Sequence, residues 1–160
     1  MTPDIKYLAQ QLGHQLASKH WQITCAESCT GGGIAYAITS TSGSSAWFKK
    51  GFVSYSNEAK QDLLGVQLST LEKWGAVSAQ TVEEMAHGAA IQADAQVAIA
   101  VSGIAGPEGG SACKPVGTVY FGFSLHGHRS SLQKQFSGDR DAVRQQAIAF
   151  ALAHTKDLIV

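Results

Sequence analysis

Between Ala26 and Ile34 the chain sets Glu27, Ser28, Cys29 and Thr30 ahead of three consecutive glycines, Gly31, Gly32 and Gly33. A carboxylate, two hydroxyls and a thiol thus share one short turn. An apolar, strand-like run from Ile23 to Ala26 enters it, and a helix-like run with Ile34, Ala35, Ala37 and Ile38 leaves it. A strand-to-helix turn of this kind aims backbone N–H groups and a helix N-terminus at one spot, where an anion or a developing oxyanion is stabilised. Glycine lets the backbone approach a ligand with no Cβ in the way. Ser28 in that turn is a nucleophile beside ready-made donors, as in a nucleophile elbow, although Gly-x-Ser-x-Gly is absent. By composition alone the stretch serves equally well as a tight turn with capping hydroxyls.

Three further groups have the chemistry to join it. Lys60 follows a second strand-like run, and a lysine whose pKa is lowered by burial can act as general base to a serine. Spacing alone makes Lys60 a surface lysine. Ser102-Gly103-Ile104-Ala105-Gly106-Pro107-Glu108-Gly109-Gly110 is a second glycine loop behind a strand, fit either for close approach to an anionic substrate or for a plain surface loop. Arg140 and Arg144 fall in the first turns of the last helix, on one face, and guanidinium groups suit phosphate or carboxylate. Taken singly, each reads as a solvated helix residue. Cys29 is the rival nucleophile, although it and Cys25 also read as small buried residues.

The 160 residues predict one domain with a real core. Twelve basic and twelve acidic residues cancel, and no basic block exceeds Lys49-Lys50, which argues against nucleic acid or an anionic membrane as partner. No apolar leader or membrane span is visible, and three cysteines read as reduced thiols, so a cytoplasmic protein is expected. No metal spacing convinces: His126 and His128 flank Gly127 at what reads as a hairpin tip, and no metal site or cofactor is expected.

The pattern predicts a helix capped by Thr2 with Pro3 in its first turn and Ile5, Leu8, Leu12 and Leu16 on its apolar face. A strand at Gln22–Ala26, a helix from about Gly32 to Ser40, a loop from Thr39 to Ser45 and a strand at Phe52–Tyr55 follow. Ser56 or Asn57 caps a short helix carrying Lys60, Leu63 and Leu64, closed by Gly65. Ser69 and Glu72 suggest a capping box for the next one, which ends at Gly75. Ser78 caps a helix with Val82, Met85, Ala86 and Ala89 inward. Gln96–Val101 is a small-residue strand, Thr118–Ser124 and Ser130–Phe136 form a hairpin, and Asp139 caps a last helix with Val143, Ala147, Phe150, Ala151 and Leu158 apolar. The sum is an α/β fold, a three-layer α/β/α single domain over residues 1–160 with a mixed sheet. Loops after Ala26, Tyr55 and Val101 should converge on the site.

Six segments in order resemble the CinA C-terminal domain family: Ala26-Glu27-Ser28-Cys29-Thr30-Gly31-Gly32, Gly43-Ser44-Ser45, Tyr55-Ser56-Asn57-Glu58-Ala59-Lys60, Gly75-Ala76-Val77-Ser78, Gly103-Ile104-Ala105-Gly106-Pro107 and Lys114-Pro115-Val116-Gly117-Thr118-Val119. Together they span nearly the whole chain. Stand-alone bacterial members of that family are nicotinamide-nucleotide amidohydrolases, so the resemblance implies hydrolysis of nicotinamide mononucleotide to nicotinate mononucleotide and ammonia, without a metal. It implies Ser28 as nucleophile, Lys60 as its base, and Ser45 and Tyr55 as site residues. Ser102 (threonine in many relatives) and an arginine early in the last helix, Arg140 or Arg144, would bind substrate. On this expectation Thr30, Gly31, Gly32 and Gly103 also border the substrate. The Cys29–Gly32 N–H groups hold the oxyanion with help from Tyr55 or Ser45, and Glu27 orients Lys60 or the ribose hydroxyls. A homodimer is the usual state of so small an enzyme. The alternative is a non-catalytic nucleotide sensor, which would have no need to keep both Ser28 and Lys60.

Overall fold

The computed structural model describes residues 1–160. Its first helix, α1 (Pro3–Lys19), starts as the sequence requires: Thr2 Oγ1 accepts from the Ile5 N–H at 3.2 Å, and Pro3 opens the first turn. It is followed by β1 (Ile23–Glu27), α2 (Gly33–Thr39), a 3₁₀ turn (Ser44–Ala46), β2 (Phe52–Val53) and α3 (Asn57–Leu64). Then come α4 (Leu68–Trp74), α5 (Ala79–Ala93), β3 (Val97–Gly103), β4 (Thr118–Leu125), β5 (His128–Gln135) and α6 (Arg140–Leu158). The five strands form one mixed sheet in the order β2-β1-β3-β4-β5, in which β2, β1 and β3 pair parallel and β4 runs antiparallel to both of its neighbours, β3 and β5.

Two cores, one on each face of the sheet, make the three layers. On one face α1, α2 and α6 cover Ile23, Cys25, Val97, Ile99, Val101, Val119, Phe121 and Phe123. On the other, α3, α4 and α5 cover Ala26, Ala98 and Ala100. Those small side chains let α5 lie close to the sheet: a Cβ on Gly122 would come within 2.1 Å of the Val82 carbonyl oxygen. Covered on both faces, β1 is buried along its whole length.

Several expected details are corrected. Glu84 of α5, not a Ser69–Glu72 box, finishes the start of α4: its carboxylate accepts from the Gln67 N–H at 2.9 Å and from Thr70 Oγ1 at 2.6 Å. The local pattern lost to a partner from the next helix. Leu158 is exposed, and the last turn of α6 instead buries Thr155, while Ile159 beyond it is buried too. The second strand ends at Val53, freeing Ser54 and Tyr55 to turn toward α3, and β3 runs on to Gly103, so Ser102 belongs to a strand. The hairpin turns at His126-Gly127, both with positive φ, and His126 packs edge-on against Trp21 with ring centroids 4.5 Å apart. No helix is long and apolar enough to cross a membrane.

Candidate active site

Direction of exit assembles the site. From β1 the chain turns to α2 on one face of the sheet, and from neighbouring β2 it turns to α3 on the other. Such a reversal opens a crevice at the carboxyl ends of the strands. Side chains of β1 alternate, Cys25 toward the α1/α2/α6 layer and Ala26 toward the α3/α5 layer. Glu27 follows Cys25, and Ser28 turns the other way, toward α3. The Ser28 N–H donates to Val101 O at 3.0 Å, which ties the turn to the end of β3.

Lys60 meets it there. Ser56 Oγ caps α3 by accepting from the Ala59 N–H at 3.0 Å, so Lys60 sits in the first turns of that helix and reaches back under the end of β2. Its Nζ lies 3.1 Å from Ser28 Oγ, 3.0 Å from Ser54 O and 3.0 Å from Tyr55 O. Ser28 Oγ is 3.4 Å from the same Tyr55 carbonyl. The surface-lysine expectation is overturned, because Lys60 is only 1% exposed. None of its three partners carries a charge, and burial holds the Lys60 pKa below its ordinary value of 10.5. Close packing seats the helix: a Cβ on Gly88 of α5 would come within 1.8 Å of Leu64 O at the end of α3.

Ser28, Cys29, Tyr55, Lys60, Ser102, Gly103 and Arg140 line one cleft of about 290 Å³. Arg140 donates from Nη1 to Gly106 O at 2.8 Å and from Nη2 to Tyr55 Oη at 3.3 Å, so it bridges the second glycine loop and the tyrosine. Ser102 Oγ makes no hydrogen bond within the chain. Gly103 is needed at the floor, since a Cβ there would press to 2.8 Å on Thr118 O. Asn57, Ala76, Val77 and Glu108 also line the cleft and were missed from sequence. For Glu108 a signal existed, a lone carboxylate inside a glycine loop; the others carry none.

Six expected site residues, Glu27, Thr30, Gly31, Gly32, Ser45 and Arg144, do not line this cleft. The Glu27 carboxylate is fully buried on the α2 side. It accepts from Thr30 Oγ1 at 2.6 Å, from the Ile34 and Ala35 N–H groups at 2.7 and 2.9 Å, and from Cys25 Sγ at 3.6 Å. With the sheet between them, it does not touch Lys60. It also fills the N-terminus of α2, which therefore has no donors left for an anion. Thr30, Gly31 and Gly32 face a separate hollow with Arg144, behind the turn. Ser45 is at the wrong end of β1: the 3₁₀ turn leads to Trp47, whose carbonyl accepts from the Ile23 N–H where the strand begins.

What remains in the turn are donors. The Gly31 and Gly33 N–H groups close local turns onto Ser28 O and Thr30 O, whereas those of Cys29 and Thr30 have no backbone or side-chain acceptor on another residue. Burial pushes the Cys29 thiol up to about 11, which at neutral pH leaves only about 1 in 10⁴ as the reactive thiolate. No cluster of three or more His, Cys, Asp or Glu side chains suited to a metal ion is present.

The architecture and the site define a class: a three-layer α/β/α domain with a serine and a buried lysine paired at the carboxyl end of its parallel strands. Residues 5–159 match the CinA C-terminal domain, and the chain belongs to that family. It is 61% identical over 146 residues to the nicotinamide-nucleotide amidohydrolase PncC of Enterobacter agglomerans, covering 91% of this chain and 89% of that one. To the enzyme of the same name from Escherichia coli K12 it is 53% identical over 150 residues, 93% of this chain and 91% of that one. The solved structure of a competence/damage inducible protein from Agrobacterium tumefaciens superposes with a TM-score of 0.95 at 42% identity, covering 99% and 97% of the two chains.

Proposed function

We propose that this protein hydrolyses the carboxamide of nicotinamide mononucleotide to nicotinate mononucleotide and ammonia, with Ser28 as nucleophile and Lys60 as its general base. The carrying observation is the set of partners around Lys60 Nζ. A neutral amine has two N–H bonds and one lone pair. With the carbonyls of Ser54 and Tyr55 as acceptors for the two hydrogens, the lone pair is left for the Ser28 hydroxyl. Burial without a carboxylate partner favours that neutral form.

Ser28 Oγ bonds to the amide carbon while its proton passes to Nζ, and the Cys29 and Thr30 N–H groups receive the oxyanion. A donor of this kind is worth about 3 kcal/mol in the transition state. The C–N bond then breaks, Lys60 returns its proton to the departing nitrogen, and ammonia leaves. Water, deprotonated by Lys60, attacks the acyl ester, and the Ser28 oxygen takes the proton back. Arg140 supplies the charge for the 5′-phosphate, and Ser102 a free hydroxyl beside it. Glu108 places a negative charge in the same cleft, which suits a substrate with a cationic pyridinium ring. The names carried by the relatives at 61% and 53% identity point to the same substrate class.

Product analysis of the purified protein with nicotinamide mononucleotide tests this reading. Ammonia and nicotinate mononucleotide should appear one to one, with no free nicotinamide. Release of nicotinamide would instead mean cleavage of the glycosidic bond and would overturn the proposal, as would binding without any turnover.

A further inference from the structure

We infer that Arg144 is a positioning residue for the oxyanion donors and does not read the substrate phosphate; this rests on the serine mechanism proposed above. Arg144 stands on α6, behind the turn and outside the cleft that holds Ser28. Its Nε donates to Cys29 O at 3.1 Å and its Nη2 to Thr30 O at 3.3 Å. In a trans peptide the C=O of one residue and the N–H of the next point in opposite directions. Holding Cys29 O on the α6 side therefore turns the Thr30 N–H away from α6. The segment is also a tight turn, closed by the Gly31 N–H donating to Ser28 O at 3.0 Å.

Two anchors leave the turn little freedom. Glu27 holds the Thr30 side chain at 2.6 Å from inside, and Arg144 holds the Thr30 carbonyl from outside. Gly31 fits between them, since a Cβ there would come within 3.3 Å of Arg144 Nη2. Cys29 O has no partner other than this guanidinium, whereas Thr30 O also accepts from the Gly33 N–H at 3.0 Å. Loss of Arg144 frees the Cys29–Thr30 peptide plane to rotate, and a donor turned out of line stops stabilising the oxyanion.

The test compares Arg144→Ala with Arg140→Ala on nicotinamide mononucleotide and on its phosphate-free nucleoside, with thermal melting to confirm folding. Arg144→Ala should lose about 10²-fold in kcat, by the same factor on both compounds, with KM changed less than threefold. Free guanidinium at millimolar concentration should restore part of that kcat, which a merely structural lesion would not allow. Arg140→Ala should instead raise KM for the nucleotide alone. A loss confined to the nucleotide would make Arg144 a phosphate reader and overturn the inference, as would an unchanged kcat. A fluorophosphonate probe separates failure here from failure of the substrate assignment, because it reacts with an activated serine and needs no nucleotide. Wild-type protein that labels at Ser28 yet leaves the nucleotide intact overturns the substrate alone, and the labelling rates of the two variants then decide the role of Arg144. Protein that neither labels nor turns over overturns both.

Discussion

Lys60 is the residue where sequence and structure diverge most usefully. Spacing makes it a solvated helix lysine, and only the packing of α3 under β2 buries it against Ser28, so no local pattern could have placed it. Family resemblance singled it out; the set of neutral partners around Nζ is what supports the proposed base role. The sign of the pH dependence follows. Burial lowers the pKa, and in the proposed mechanism the active form is the neutral amine, so kcat/KM should rise with pH and level off above an ionisation lying below 10.5. A profile flat from pH 6 to 9 that survives Lys60→Arg would remove the base role, since guanidinium stays protonated. Cys29 makes the opposite case. Its thiol is pushed up to about 11, so Cys29→Ala should keep within about tenfold of wild-type activity, and iodoacetamide should react slowly. Ammonia release by that variant is the check.

At the scale of elements, periodicity and caps were legible wherever a helix satisfies itself locally. Thr2, Ser56, Ser78 and Asp139 each cap the helix expected of them. Legibility failed where an end is finished from a distance. Glu84 reaches α4 from α5, and Glu27 reaches the start of α2 across the turn it precedes. That second case changes the chemistry: a helix N-terminus that looks free for an anion is already occupied. Glu27→Gln puts an amide NH₂ against backbone N–H groups and should cost about 3 kcal/mol, which lowers Tm by roughly 10 °C in a chain of this size. Calorimetry measures it. Close helix contact gives a second test. Gly88→Ala must push α3 away at Leu64, carrying Lys60 with it. Its kcat should fall more than its KM rises; unchanged kinetics would show that α3 can shift without moving the base.

For the whole molecule, the three-layer order was readable because buried parallel strands alternate with amphipathic helices, and the small residues of β3 announce a sheet covered on both faces. Which loop ends meet was readable only in part. Loops after β1, β2 and β3 do converge, but Ser45, close to them in sequence terms, belongs to the other end of β1, and register alone decides that. Binding and chemistry should separate across this architecture. Ser28→Ala keeps Arg140, Ser102 and the cleft, so nicotinamide mononucleotide at 100 times its Kd should stabilise the variant by about 2.7 kcal/mol, a Tm rise of several degrees, without turnover. The central claim, that a neutral Lys60 activates Ser28 to open the amide, is met most directly by one side-by-side assay. Ammonia release from nicotinamide mononucleotide is followed for wild type, Ser28→Ala and Lys60→Arg at the same pH. Steady release by wild type with at least a thousandfold loss in both variants is the predicted result. Ammonia released by Ser28→Ala or by Lys60→Arg at a rate near wild type would contradict it.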